Sequence, residues 1–512
     1  MTLYMLCQMV PSSPSSRFAA SSPISWELQY TTVALALALA LASGAWAQET
    51  ERVCVDHWLA LRVGDDAVVN RQGWIRVWDV DTGVCVDSID MSIPDGPRAS
   101  RTYGSECDYT KVPYDYSRTV IPTNRNTRPG TPSGTAEATP LGEYQLNIIG
   151  GFTDGFHFHP VILRDGVARV HFHNNILDYG HRYRVVIDPE VFGHGISETF
   201  ATKTGAAYGD TIVVDAQGRG DFLTVQGAMD AVPDFSTRET VIVIRPGDYE
   251  EIVYARNKTH LTIMGTDRET TRVHYANNEV FNPHPLTVKT NEMPGTFPSR
   301  RAAFMLDNCS DIRLCDLTIA TDLKGQAEGL LVNGERIRLD RVHIIGDGDA
   351  LQANGTIFMQ HCQLDGGGDT ILGRGALFAR WCCFRNAGGP FTWVRNTSGS
   401  HGDVFVECTF ESTTDYPADF GRTPNNHGKD YPDAEMVVID CKTRRFNPLG
   451  WSALGKPTVV MLEYNTRDMD TGDPVDVSRR HSYSRQLTMP ADRTTIENYR
   501  TPAYVLRGWT GE

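Results

Sequence analysis

LLVNGERIRLDRVHIIGDGDALQANGTIFMQHCQLDGGGDTILGRGALFARWCCFRN (330–386) decides the fold of this chain. Similar segments continue on both sides: FMLDNCSDIRLCDLTI (304–319) before it, and VFVECTF (404–410), MVVIDCKT (436–443) and VVMLEYN (459–465) after it. Short β-type runs recur at intervals of roughly 20–30 residues, with Gly, Asn and Asp between them, and a cysteine returns at an equivalent place in several. That period indicates a parallel β-solenoid. A doubly wound α/β fold is disfavoured, because the intervening stretches lack helical periodicity. One helix is expected, over TVQGAMDAVPD (224–234), closing the open N-terminal end of the solenoid.

Before about Gly209 the pattern differs. WIRVWDV (74–80), VARVHFH (167–173) and YRVVID (183–188) are alternating or β-branched runs bounded by turn residues. Residues 121–141 form a Pro/Thr/Gly-rich loop between them. At the N-terminus, the apolar run Val33 to Ala42 is followed by Ala45-Trp46-Ala47, an A-x-A cleavage pattern. The run is too short for a comfortable membrane span, so export with removal of residues 1–47 is expected and no span remains in the mature chain. The domains expected are a signal peptide (1–47), a β-sandwich module (48–205) and a catalytic solenoid (206–512). The fold class is all-β, a right-handed parallel β-helix preceded by a small sandwich.

The chain has 512 residues, ample for a sizeable core, and a formal net charge of −15. That charge argues against nucleic acid as a partner. A polyanionic substrate would need locally placed Arg or Lys. Of 11 cysteines, Cys7 leaves with the signal. Cys54, Cys85 and Cys107 could include one disulfide, and the seven others read as small buried thiols of the repeat.

The chemistry concentrates in two Gly-rich segments, DGDALQANG (347–355) and DGGGDTILGRG (365–375). Asp349 and Asp369 are 369 − 349 = 20 residues apart, about one solenoid turn. Residues one turn apart stack on neighbouring rungs, roughly 4.8 Å apart. Two carboxylates so close do not both ionise easily, which divides them into an acid and a nucleophile. Gln326 precedes Asp349 by 349 − 326 = 23 residues, so all three can form one column. Arg422 follows Asp369 by 422 − 369 = 53 residues and can return to the same groove to keep one aspartate ionised. Turn statistics alone favour a structural role for either aspartate. The pair at one-turn spacing, with an amide upstream, favours catalysis. His157, His159, His171 and His173 form two H-x-H pairs, for which a solvated strand face is the commoner reading and no metal site is assigned.

These residues carry a resemblance. VVDAQGRGDFLTVQGAMDAVP (213–233), RPGDYEEIV (245–253) and LTIMGTDRETTRV (261–273) resemble the opening of the pectin methylesterases, or pectinesterases. QAEGLLV, GDALQ, GGGDTILG, FGRTP and NPLGW (447–451) resemble that family's later motifs, in order, over about residues 210–512. The resemblance implies a metal- and cofactor-free enzyme that demethylates pectin, the methyl-esterified polygalacturonate; export is expected from the signal pattern, and a monomer is expected. Asp369 is then the nucleophile and Asp349 the general acid/base, with Gln326 at the oxyanion and Arg422 orienting Asp369. Trp451, Arg395, Trp393 and Arg374 are the candidates to line the sugar groove, with core packing or a surface ion pair as the equally weighted alternative for each. GPFTWVRNT (389–397) and SHGD (400–403) look like a bacterial branch, and FHPVILRDGVARVHFHNNILDYGHRYRVVIDPEVF resembles bacterial Ig-like modules. The chain departs from the family pattern at Gly348, where a glutamine is usual, with Gln352 as the amide that could replace it. It departs again at Pro424, where a tryptophan is common, followed by an insertion through Tyr431. Competing readings are a β-helix depolymerase, either pectate lyase or polygalacturonase-like, and a non-catalytic solenoid that only binds wall polymers.

Overall fold

The computed structural model describes residues 52–92, 146–147, 156–278, 282, 301–323, 327–396, 398–423 and 431–511. The expected signal segment, the 121–141 loop, Cys107, Gln326 and Pro424 lie outside the described residues.

From Thr211 onward every strand pairing between named strands is parallel, and successive coils stack into a β-helix. One coil shows the plan. Leu351–Ala353, Thr356–Gln360 and Gln363–Gly366 lie on three different faces, and Ile371–Gly373 returns to the first. The third face is a nine-stranded sheet running from Gly247–Glu250 to Arg467–Asp468. The longest strands, Phe304–Cys315 and Leu330–Asp340, pair continuously across two faces, with a register shift between Asp307 and Ser310.

Period-two alternation sorts each strand into an inner and an outer row. Leu339, Met359, Ala379, Phe405 and Val438 follow one another along the ladder and all join the central core. Burying each such Leu, Phe or Met contributes about 1.5–3 kcal/mol. Their neighbours Phe358, Phe378, Val404, Val437 and Leu462 face outward. Helices Arg493–Tyr499 and Pro502–Val505 cover that outer row with Ile496, Tyr499, Val505 and Leu506.

The recurring cysteine has a local cause. Asp316, Arg341, His361, Trp381, Glu407, Asp440 and Asn465 all have positive φ, between 52° and 58°, and turn the chain sharply at one corner. The next residue in each coil points inward, giving the buried row Leu317, Val342, Cys362, Cys382, Cys408, Cys441 and Thr466. Cysteine suits that position as a small, weakly polar core residue. Every described cysteine is a free thiol.

The expected helix forms over Val225–Ala231, with Thr224 Oγ1 accepting from Gly227 N at 3.0 Å. Val225, Ala228 and Met229 plug the first coils beside Ile212 and Ile242. Two carboxylates satisfy the helix's leading N–H groups. Asp56 accepts from the N–H of Leu223 and Thr224, and Glu251 from those of Val225 and Gln226.

Before Thr211 every pairing between named strands is antiparallel. One sheet has the order Cys85–Asp90, Trp74–Asp79, Arg182–Ile187, Ile196–Ala201, and another the order Leu59–Arg62, Val167–Val170, Val161–Arg164. The two sheets share one core, with Leu61 and Ala168 beside Ile75, Tyr183 and Val185. His171 and His173 fall just past a strand rather than on one. His173 Nδ1 meets Asp87 Oδ1 at 2.8 Å, His171 packs on Trp58, and His159 stacks on Tyr275.

Candidate active site

Asp349 and Asp369 occupy equivalent places, two residues before the strands Leu351–Ala353 and Ile371–Gly373. Those strands pair in register, Leu351 with Ile371, and Ala350 N donates to Thr370 O at 2.9 Å. The two aspartates therefore stack on adjacent rungs, at the spacing the sequence implied. Glycine makes this stacking possible. A Cβ on Gly367 would lie 2.0 Å from Asp347 O, and one on Gly346 would lie 2.1 Å from Asp349 O.

The carboxylates have different surroundings. Asp369 is gripped by Arg422: Nε donates to Oδ1 at 2.9 Å, and Nη2 to Oδ2. Such a planar fork holds a carboxylate in a fixed orientation. Asp349 is 7% exposed, and burial pushes its carboxyl well above the usual carboxylate range. Arg301 and Arg395 oppose that rise, while Glu328 and Asp369 add to it. The two carboxylates thus differ: one is buried with its carboxyl pushed up, and the other is held by an arginine one rung away.

Arg422 reaches Asp369 from the strand Ala418–Arg422, across the strand Gly389–Val394. Trp393 lies opposite Arg422 in the ladder, and the guanidinium sits 4.7 Å over its ring. Arg395 places a second guanidinium 4.7 Å from the same ring. Leu331, Gln352, Leu372, Trp393 and Arg422 follow one another on this face, alternating with the inward Leu351 and Ile371. Gln352 is 2% exposed, and its Oε1 has no hydrogen-bond partner among the described residues. Arg374 lies beyond Gly373, half-buried.

One expected groove residue is corrected. Trp451 is fully buried in the central core, its ring 5.2 Å from that of Phe420, so it packs rather than lines a surface. Gly450, with φ of 66°, sets up that inward course.

Two residues at the site escaped the sequence reading. Glu328, wholly buried, is two residues before Leu330, which pairs with Leu351, so it occupies the rung before Asp349. Arg301 bridges it to Asp349, with Nε to Glu328 Oε1 at 2.6 Å and Nη2 to Asp349 Oδ2 at 3.3 Å. Spacing alone could have found Glu328, since 349 − 328 = 21 is nearer to 20 than the 23 of Gln326.

Among the described residues, one group of three metal-capable side chains converges: Asp79, Asp81 and His181. Asp79 Oδ1 accepts from the N–H of Asp81 and Thr82, Oδ2 meets His181 Nδ1, and Asp81 is held by Arg182. That ligand capacity is used within the turn.

A parallel β-helix carrying a stacked pair of aspartates, one held by an arginine fork and one buried, presents the groups that carboxylate-dependent hydrolysis uses. Residues 211–506, more than half of the chain, match the Pectinesterase family, and the chain belongs to that family of carboxylic-ester hydrolases. It is similar to Pectinesterase QRT1 of Arabidopsis thaliana, 26% identical over 296 residues, covering 54% of this chain and 73% of that protein. It is also similar to the Probable pectinesterase/pectinesterase inhibitor 19 of the same plant, 27% identical over 157 residues. That match covers 30% of this chain and 28% of the relative, so the chain spans little more than a quarter of that protein's length. Among solved structures, a pectin methylesterase from carrot is 20% identical with a TM-score of 0.48, covering 60% of this chain and 95% of that one.

Proposed function

We propose that this chain is an exported enzyme that hydrolyses the methyl esters of polygalacturonate, with Asp369 as nucleophile and Asp349 as general acid and then base. The family supports pectin demethylation. The observation that carries the assignment of roles is the asymmetry of the stacked pair: the bidentate Arg422 on Asp369, and the burial that pushes the Asp349 carboxyl up.

In this reading an Asp369 oxygen attacks the ester carbonyl carbon. The tetrahedral intermediate collapses, and methanol leaves with the proton of Asp349. The galacturonyl group is then joined to Asp369 as an anhydride. Asp349, now ionised, takes a proton from water, whose oxygen attacks the substrate carbonyl and frees Asp369. One water is consumed, one methanol and one galacturonate carboxyl are formed, and Asp349 is again protonated. Trp393, Arg395 and Arg374 are the groups we assign to the uronate chain, by ring stacking and charge. The amide of Gln326 is assigned to the oxyanion.

Export rests on the apolar run 33–42 and the Ala45-Trp46-Ala47 pattern. Among the described residues no helix is long and apolar enough to cross a membrane. The test of the reaction is product analysis on highly esterified pectin. Methanol without new reducing ends or unsaturated termini supports demethylation; chain cleavage without methanol refutes it.

A further inference from the structure

The column at the active site holds a third carboxylate and a second guanidinium to which the reaction above gives no task. Glu328, Asp349 and Asp369 follow one another on three successive rungs, because Leu330, Leu351 and Ile371 are register partners. Burying a carboxylate is costly unless it is paired. Glu328 is wholly buried, and its Oε1 takes both Arg301 Nε, at 2.6 Å, and Arg301 Nη2, at 2.5 Å. Its Oε2 has no hydrogen-bond partner among the described residues.

That geometry differs from a self-contained ion pair. Arg480 uses both Glu463 oxygens in a parallel fork, Nε to Oε2 at 2.9 Å and Nη2 to Oε1 at 2.8 Å. Arg422 grips Asp369 in the same manner. Arg301 instead spends one Glu328 oxygen and extends Nη2 onward to Asp349 Oδ2 at 3.3 Å. A guanidinium carries donors only, so the oxygen it faces must accept. A protonated Asp349 in this arrangement favours Oδ1 for its proton, since Oδ2 faces the donor.

We propose that Arg301, anchored by Glu328, is a positioning residue that orients the Asp349 carboxyl with Oδ2 toward the guanidinium and the proton on Oδ1 for transfer to methanol. The proposal rests on the reading of Asp349 as general acid. The charged groups facing Asp349 are Arg301, Glu328, Asp369 and Arg395. Their signs give the test its direction. Removing Arg301 leaves Asp349 nearer two anions and strengthens its hold on the proton. Removing the charge of Glu328 weakens that hold.

The experiment is the pH dependence of kcat/KM for methanol release by the full chain and by Arg301→Gln, Arg301→Lys and Glu328→Gln. The alkaline limb of Arg301→Gln is expected to move up by about one pH unit or more, and that of Glu328→Gln down. Loss of orientation lowers kcat of Arg301→Gln by about 10- to 100-fold, with KM changed much less. Arg301→Lys keeps the limb near that of the wild type while losing part of kcat. Limbs that stay fixed, or move in the same direction in Arg301→Gln and Glu328→Gln, overturn the proposal, as does an effect on KM alone. Should Arg301→Gln not fold, the downward limb of Glu328→Gln and the unmoved limb of Arg301→Lys decide it. Asp349→Asn separates the two levels. An active Asp349→Asn, or a wild type that releases no methanol, overturns the assigned reaction and this proposal with it. A silent Asp349→Asn beside unmoved limbs overturns the positioning role alone.

Discussion

Replacing Arg422 by lysine keeps the charge beside Asp369 and removes the fork. Arg422 donates to both Asp369 oxygens, through Nε at 2.9 Å and through Nη2. A lysine ammonium is a point charge that cannot span the two oxygens in one plane. One charge-assisted hydrogen bond is therefore lost, worth about 1.5–3 kcal/mol. At about 1.4 kcal/mol per tenfold in rate, kcat should fall about 10- to 100-fold. The Arg422 side chain is 32% exposed and that of Asp369 15%, so water offsets part of the loss and the lower half of that range is expected. Arg422→Ala removes both bonds and the cation over Trp393, and should cost about 100- to 10,000-fold. Initial rates of methanol release at saturating esterified pectin measure both variants, with circular dichroism to show that each is folded. A folded Arg422→Lys with the kcat of the wild type would refute the argument that the fork prepares Asp369.

Three other substitutions probe separate parts of the account. Asp349→Asn removes the transferable proton and should lower kcat about 100- to 10,000-fold; in the wild type, methanol release should fall on the alkaline side as Asp349 ionises, because departing methanol takes its proton. Trp451→Ala should cost about 3–5 kcal/mol in denaturant unfolding, as a cavity in the core, while KM of the remaining folded enzyme stays close to that of the wild type; a raised KM without loss of stability would restore Trp451 to the groove. Asp403 is buried, and burial raises its carboxyl to about 7, above its unfolded value. Its stabilising contribution is therefore complete below about pH 4 and lost as pH rises through about 7, amounting to a few kcal/mol at most. The thermal midpoint of Asp403→Asn should accordingly fall less than that of the wild type between pH 5 and 8, and parallel curves would count against this.

The solenoid was legible because its physics is periodic: each coil repeats a sharp corner, an inward residue and alternating strands, and the repeat is written in the cysteines from Cys362 to Cys441. The stacked aspartates were legible for the same reason. The 53-residue separation of Arg422 is compatible with its return to Asp369, and it spans the strand of Trp393. Arg301 was not legible. It precedes the long strand Phe304–Cys315 and meets Asp349 only through the reach of its side chain, which no spacing encodes. Trp451 was misread because an aromatic beside a Pro-x-Gly turn reads equally well as a groove wall or a core residue. The direction taken at Gly450 decides which. The C-terminal helices are too short for a periodic signal. Ile496, Tyr499, Val505 and Leu506 have meaning only against the outer row of Phe358, Phe378 and Val404.

The central claim is that ester hydrolysis proceeds through Asp369 with the help of Asp349. Methanol released per enzyme from esterified polygalacturonate, compared among wild type, Asp369→Asn and Asp349→Asn, tests it most directly. The account predicts one methanol for each carboxyl formed by the wild type and almost none from either variant. Methanol release by a folded Asp369→Asn within a few fold of the wild type would contradict it.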